Sequence, residues 1–207
     1  MRSNCASDLF RAITRRQAVY NIVSLENVPS ILQYGLLCYN EAQRLVHESI
    51  ALNDVQMRRD NKSVPHGLRL HDYANAYFDP RNPMMYRRLD MVNEICVLAI
   101  DASILDCDGV VVSDGNAASN VTRFYSSSEG IETLRYDQIY ADWWTDPDPY
   151  VHDNKKRMKC AEVLVPYCIP SEYILGAKVA NERVRESLLN QGFSRKIVIS
   201  PKTFFQE

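Results

Sequence analysis

At 207 residues, with 46% hydrophobic and 24% charged side chains, the chain has the make-up of one soluble globular domain and is too short for two of typical size. Its formal net charge of −2 excludes a protein that is basic throughout. Its seven glycines, about half the usual share of roughly 7%, are spaced so that neither G-x-G-x-x-G nor G-x-x-x-x-G-K can be written, which excludes dehydrogenase-type and P-loop nucleotide cradles.

Charge is uneven along the chain. Residues 1–62 carry 8 basic and 6 acidic side chains, residues 63–152 carry 6 and 14, and residues 153–207 carry 10 and 6. Any nucleic-acid footprint must therefore be local. The six cysteines form no C-x-x-C pair and the four histidines no H-E-x-x-H, so no metal is expected. Asp8, Arg11, Arg15 and Arg16 interrupt the apolar stretch that a signal peptide needs, and no apolar run approaches the roughly 20 residues of a membrane span. These features predict a cytoplasmic protein.

In chain order, VYNIVSL (19–25) reads as a strand. In the following ENVPSILQYGLL a short helix is expected, with Asn27 as N-cap, Pro29 in its first turn, Gly35 at a left-handed stop, and Ile31 and Leu32 facing the core. Residues 40–62 are polar with sparse apolar positions, which suits an exposed helix or helical loop. In HDYANAYFDPRNPMMYRR (71–88) AYF suits a strand and DPRNP a turn. Strands are expected at EICVLAID (94–101), GVVVSD (109–114), EVLVPYCI (162–169), YILGAKVA (173–180) and KIVIS (196–200). NERVRESLLNQG reads as an amphipathic helix ending at Gly192. Strands and helices mix without βαβ alternation, so the predicted class is α+β around a central, partly split sheet.

Three features could carry chemistry. Glu162 opens an apolar strand directly after a basic cluster (Lys155, Lys156, Arg157, Lys159). It is either a carboxylate at a sheet rim or a fixed negative charge for an oxocarbenium-like transition state. Arg58 and Arg59 are either a surface pair, with Asp54 as the i,i+4 partner of Arg58, or a pyrophosphate clamp. Trp143 and Trp144 lie in the longest stretch without a clean period, 136–160, and suit core packing or a stacking platform for a flat ligand equally well. The basic cluster itself suits a solvated helix start or a phosphate contact.

Taken together, VYNIVSLENVPSILQYGLL, SIALNDVQMRRDNKSVP, LHDYANAYFDPRNPMMY, VSDGNA with RFY, DQIYADWWTDP and KCAEVLVP resemble the DarT toxins, which ADP-ribosylate bases of single-stranded DNA using NAD. The resemblance runs over roughly residues 17–205. It implies an α+β ADP-ribosyltransferase fold of the diphtheria-toxin and poly-ADP-ribose-polymerase type, one domain over 1–207, in which a split sheet holds NAD without a glycine fingerprint. It implies Glu162 and Arg59 as catalytic residues and Asn21, Val23, Arg59, Tyr77, Phe78 and Met84 as NAD-binding. On the DNA-binding side it implies Arg81, Tyr86, Asn116, Trp143, Trp144, Lys155, Lys156 and Arg157, with 140–160 as a substrate-recognising loop. NAD would be consumed as co-substrate, single-stranded DNA would be the acceptor, and a macrodomain-type antitoxin would be the partner in a toxin–antitoxin or phage-defence setting. Two departures, Asn21 where many family members carry histidine and Asp114-Gly115-Asn116 where thymine-modifying members carry histidine, favour guanine over thymine. The competing readings are ADP-ribosylation of RNA or protein, and a non-catalytic NAD- or DNA-binding module.

Overall fold

The computed structural model describes residues 5–206; residues 1–4 and 207, which the expected domain includes, lie outside the described residues. Helix α1 (Ala6–Thr14) precedes strand β1 (Ala18–Ser24), whose residues are all buried because both faces of the sheet are covered. A 3-10 turn (Leu25–Asn27) leads into α2 (Val28–Tyr34), which stops at Gly35 with φ +82°. The helix ends where the glycine predicts, but Asn27 makes no cap: its carboxamide instead donates to the Glu48 carbonyl (2.7 Å) and accepts from the Glu48 N–H (2.8 Å). β2 (Leu36–Leu37) follows, and the polar stretch 40–62 then resolves into most of α3 (Tyr39–Ala42), a loop and α4 (Asn53–Asp60).

Strand β3 (Tyr73–Tyr77) takes in Ala76 and Tyr77 of the expected AYF strand but ends before Phe78. Asn82 caps α5 (Pro83–Tyr86) by accepting from the Met84 and Met85 N–H groups, with Pro83 at the first helical position. Then come β4 (Ile95–Asp101), β5 (Val111–Ser113), β6 (Phe124–Ser126), α6 (Ser127–Thr133) and α7 (Tyr136–Ile139). The expected loop 140–160 is half helix: α8 (Pro149–Met158) is capped by Asp148 and carries Lys155, Lys156 and Arg157 in its last turn. The basic cluster thus ends a helix rather than starting one, where cations oppose the negative end of the macrodipole. The chain closes with β7 (Glu162–Pro166), β8 (Cys168–Ile169), β9 (Ile174–Val179), α9 (Glu182–Asn190) and β10 (Lys196–Ile199).

Eight strands form one sheet in the order β10-β9-β4-β1-β3-β7-β5-β6, and β2 pairs with β8 separately. Pairing is uneven in a way that matters. β1 and β4 pair without a break from Ala18↔Asp101 to Ser24↔Ile95, and β3 and β7 from Tyr73↔Pro166 to Tyr77↔Glu162. Between these two blocks β1 meets β3 only at Tyr20↔Tyr77. The sheet is split there, as expected, and the Asn21 carboxamide bridges the gap by donating to the Asn75 carbonyl at 2.6 Å.

Candidate active site

The cleft opens at this split. It has a volume of about 370 Å³ and is walled by Asn21 and Ile22 of β1, Asn75 and Tyr77 of β3, the loop Ile50–Leu52, α4, and Pro83, Met84 and Arg87 around α5; Asn116, Lys156, Cys160 and Glu162 close it. A second cleft of about 630 Å³ adjoins it and shares Arg58, Pro83, Asn116, Lys156 and Cys160.

Glu162 sits in the cleft at the first position of β7, 1% exposed. Its backbone N–H donates to Ser113 Oγ (3.2 Å). One carboxylate oxygen accepts from the Ala117 N–H at 2.8 Å and the other from Arg59 Nη1 at 3.0 Å. Each oxygen is therefore aimed by a different donor, and the ion pair with Arg59 is buried on both sides. A carboxylate this deep is tolerable only when paired and hydrogen-bonded. Of the two arginines, Arg58 follows the surface reading, 3.4 Å from Asp54, while Arg59 turns inward.

The same neighbourhood shifts other groups. Burial, then the Glu162 charge, pushes the Tyr77 phenol well above its ordinary value, so it stays neutral. Burial raises the Cys160 thiol to about 12, with Glu162 adding to the effect. Burial lowers the Lys62 ammonium, against the pull of Glu162 and with the push of Arg59. Lys62 donates to the Ser119 carbonyl, tying the end of α4 to the loop that supplies the Ala117 N–H. Arg157 holds that loop's other side, with Nη1 2.6 Å from Asp114 Oδ1 and 3.3 Å from Thr122 Oγ1, and its carbonyl accepts from the Asn116 N–H. A Cβ on Gly115 would stand 2.9 Å from the Arg157 carbonyl oxygen, so glycine is required for this close approach.

The structure brings Glu162, Arg59, Asn21, Tyr77 and Met84 onto one cleft and sets Asn116 and Lys156 where the two clefts meet. It moves others away. Val23 shares a face of β1 with Asn21 but lies two residues further along the strand, where it packs with Leu25, Val28 and Ile31 in the core. Phe78 is fully buried against Phe10, ring centroids 5.8 Å apart. Trp144 is 7% exposed and belongs to the interior, while Trp143 is half exposed. Lys155 is paired with Asp146 at 2.7 Å, and Arg157 is engaged with the 114–122 loop, so neither is a free cation; Lys156 is exposed. Arg81 stacks on Phe205 (4.1 Å) and Trp143 (4.9 Å), and Tyr86 packs edge-on against both tryptophans and Phe205. Sequence reasoning missed the Ala117 N–H, Asn75, Lys62 and the Ile50–Leu52 wall. A backbone donor leaves no mark in sequence; the only available hint was the glycine of VSDGNA.

A family model described as "ssDNA thymidine ADP-ribosyltransferase, DarT" matches residues 20–205. The chain belongs to the DarT family. A DNA ADP-ribosyl transferase–DNA ADP-ribosyl glycohydrolase fusion protein of Thermosipho africanus is 32% identical over 92% of this chain; the DarT chain here spans 50% of that relative's length. A DNA ADP-ribosyl transferase of a Thermus species is 31% identical, covering 83% of this chain and 85% of its own. Among solved structures, Thermus sp. 2.9 DarT in complex with ADP-ribosylated single-stranded DNA superposes with a TM-score of 0.79 at 27% identity, over 91% of this chain and 96% of that one. The fold is thus that of a DarT ADP-ribosyltransferase. Among the described residues no helix is long and apolar enough to cross a membrane.

Proposed function

We propose that this chain transfers ADP-ribose from NAD to a base of single-stranded DNA, releasing nicotinamide. The observation that carries the reading is the buried Glu162 carboxylate, aimed by Arg59 and the Ala117 N–H into a cleft at the split of the sheet. NAD is a reactant here, and side chains rather than a glycine loop would hold it. The Thermus sp. 2.9 DarT structures with NAD+ and with ADP-ribosylated single-stranded DNA support both substrates.

In the reaction the bond between the ribose anomeric carbon and the nicotinamide nitrogen breaks, and its electron pair leaves with nicotinamide. The base nitrogen bonds to the same carbon and gives up its proton. Glu162 holds the nicotinamide-ribose hydroxyl, stabilises the positive charge that develops on the sugar, and is placed to accept the proton. Arg59 fixes the carboxylate and contacts the dinucleotide. Asn21, Tyr77 and Met84 form the NAD wall, whereas Val23 and Phe78 act only as core behind it. A base in a duplex cannot reach such a cleft, so the acceptor is single-stranded. It would enter by the adjoining cleft past Asn116 and Lys156, with Arg81, Tyr86 and Trp143 as the stacking surface.

The acceptor base is guanine or thymine. The family description names thymidine, while Asn21 and Asn116 are the departures that favour guanine. We read residues 1–207 as one domain acting in the cytoplasm, in a toxin–antitoxin or phage-defence setting. The fusion of the Thermosipho africanus relative with a glycohydrolase supports an adduct-removing partner of macrodomain type. Incubation with NAD and short oligonucleotides, followed by mass spectrometry of the nucleosides, tests the reading and identifies the base. Absence of an ADP-ribose adduct on every single-stranded oligonucleotide would refute it.

A further inference from the structure

Helix α4 carries Arg59 yet has almost nothing apolar to hold it. Arg59 is its only buried residue, Met57 is exposed, and no side chain caps its N-terminus. A short helix without a buried stripe is not fixed by hydrophobic packing, so polar contacts must set its place.

One side chain makes two such contacts. His71, buried in the 3-10 turn Leu70–Asp72 that leads into β3, has Nε2 3.0 Å from Gln56 Oε1 and Nδ1 3.4 Å from Asp60 Oδ1. Gln56 and Asp60 are one helical turn apart and flank Arg59 in sequence. The imidazole plane is fixed in turn by stacking on Tyr39, at 4.2 Å between centroids and 25° between planes. Because β3 pairs with β7 at Tyr77↔Glu162, His71 ties the helix bearing Arg59 to the strands bearing Glu162. Burial first, then the charge of Arg59, lowers the imidazole's pKa against the opposing pull of Asp60 and Asp72. A neutral ring that donates from Nδ1 to the Asp60 carboxylate leaves Nε2 as an acceptor, which the Gln56 carboxamide serves with its NH2 turned toward the ring.

We propose that His71 is a positioning residue for the reaction: it anchors α4 so that the Arg59 guanidinium meets Glu162 and the dinucleotide. The inference rests on the function proposed above. Its test is a double-mutant cycle on NAD affinity, measured by calorimetry without DNA, with His71→Ala made in the native chain and in an Arg59→Gln background. If His71 works through Arg59, the substitution weakens NAD binding about tenfold in the native background and less than about twofold in the other. A coupling below about threefold overturns the inference. Hydrogen exchange across residues 53–60 supplies a readout independent of NAD: faster exchange in His71→Ala confined to this segment and its contacts is expected, and unchanged exchange overturns the inference. His71→Gln, which keeps a partner for Gln56, should restore most of the affinity, and His71→Leu, which fills the space but makes neither contact, replaces the alanine variant in both measurements should that one fail to fold. If the native chain binds no NAD, the functional reading fails and hydrogen exchange alone decides the anchoring role; if it binds NAD and the cycle is additive, only this inference fails.

Discussion

Replacing Glu162 with glutamine separates the two things its carboxylate does. The shape is kept and the side-chain oxygen can still accept from the Ala117 N–H, now 2.8 Å away. What disappears is the charge opposite Arg59, in a pair whose side chains are 8% and 2% exposed. Leaving one charge of a buried pair without its partner costs about 3–5 kcal/mol. For a chain of this length that lowers the melting temperature by roughly 6–20 °C, at about 2–4 °C per kcal/mol. Removing a fixed charge that faces a developing cation should slow turnover by about 10²–10³-fold. The double variant Glu162→Gln/Arg59→Met distinguishes the effects: with no charge left to strand, stability should return toward the native value while activity stays lost. Nicotinamide release on an oligonucleotide gives the rate, and calorimetric melting gives the stability. Two results would refute the reasoning: a Glu162→Gln enzyme retaining more than about a tenth of the native rate, or a double variant no more stable than the single one.

Three further outcomes follow from the same geometry. Lys159, 1% exposed, reaches Asp79 at 2.5 Å and the Ile139 carbonyl at 2.8 Å; Lys159→Ala should cost about 3–5 kcal/mol, read by denaturant unfolding, and a loss under about 1 kcal/mol would show the pair to be dispensable. The two tryptophans should separate: Trp143→Ala weakens oligonucleotide binding by about 1–3 kcal/mol per stacked base with little loss of stability, whereas Trp144→Ala destabilises the fold by about 3–5 kcal/mol; equal effects of the two on both assays would contradict the assignment. Cys160 and Cys96 have thiols raised from 9.0 to about 12 by burial, so the stability they lend is fully present below pH 9 and is lost as pH rises toward 12. Timed iodoacetamide labelling at pH 8 should therefore leave both unmodified while the half-buried Cys5 and Cys107 react; labelling of Cys160 as fast as Cys5 would contradict it.

Much of the fold was legible in local pattern. The runs around Val19, Ile95, Val163 and Ile174 became β1, β4, β7 and β9 because contiguous apolar, β-branched residues have few other ways to bury themselves, and the run around Ile197 became β10, an edge strand paired with β9 but largely exposed. Gly35 and Gly192 end their helices with φ of +82° and +85° for the reason their residue type gives. The helical half of 140–160 was hidden because α8 exposes most of its side chains and has no residue fully buried; periodicity appears only where one face packs. Its start was nonetheless written in Asp148-Pro149, a cap followed by a proline at the first position.

The candidate site divides along the same line. Sequence alone determined the chemical inventory: a carboxylate opening an apolar strand, an arginine pair, adjacent tryptophans, and too few glycines for any phosphate-cradling loop. It left both readings open for each, since a side chain's type does not say which way it points. Only the tertiary structure decided that Arg59 turns inward to Glu162 while Arg58 stays with Asp54, that Trp144 is core and Trp143 is surface, and that Val23 and Phe78 stand behind the cleft rather than in it. The physical reason is that burial and pairing across 103 positions of chain, as between Arg59 and Glu162, depend on how β1 and β3 part beyond their single pairing at Tyr20↔Tyr77, and no local pattern encodes that.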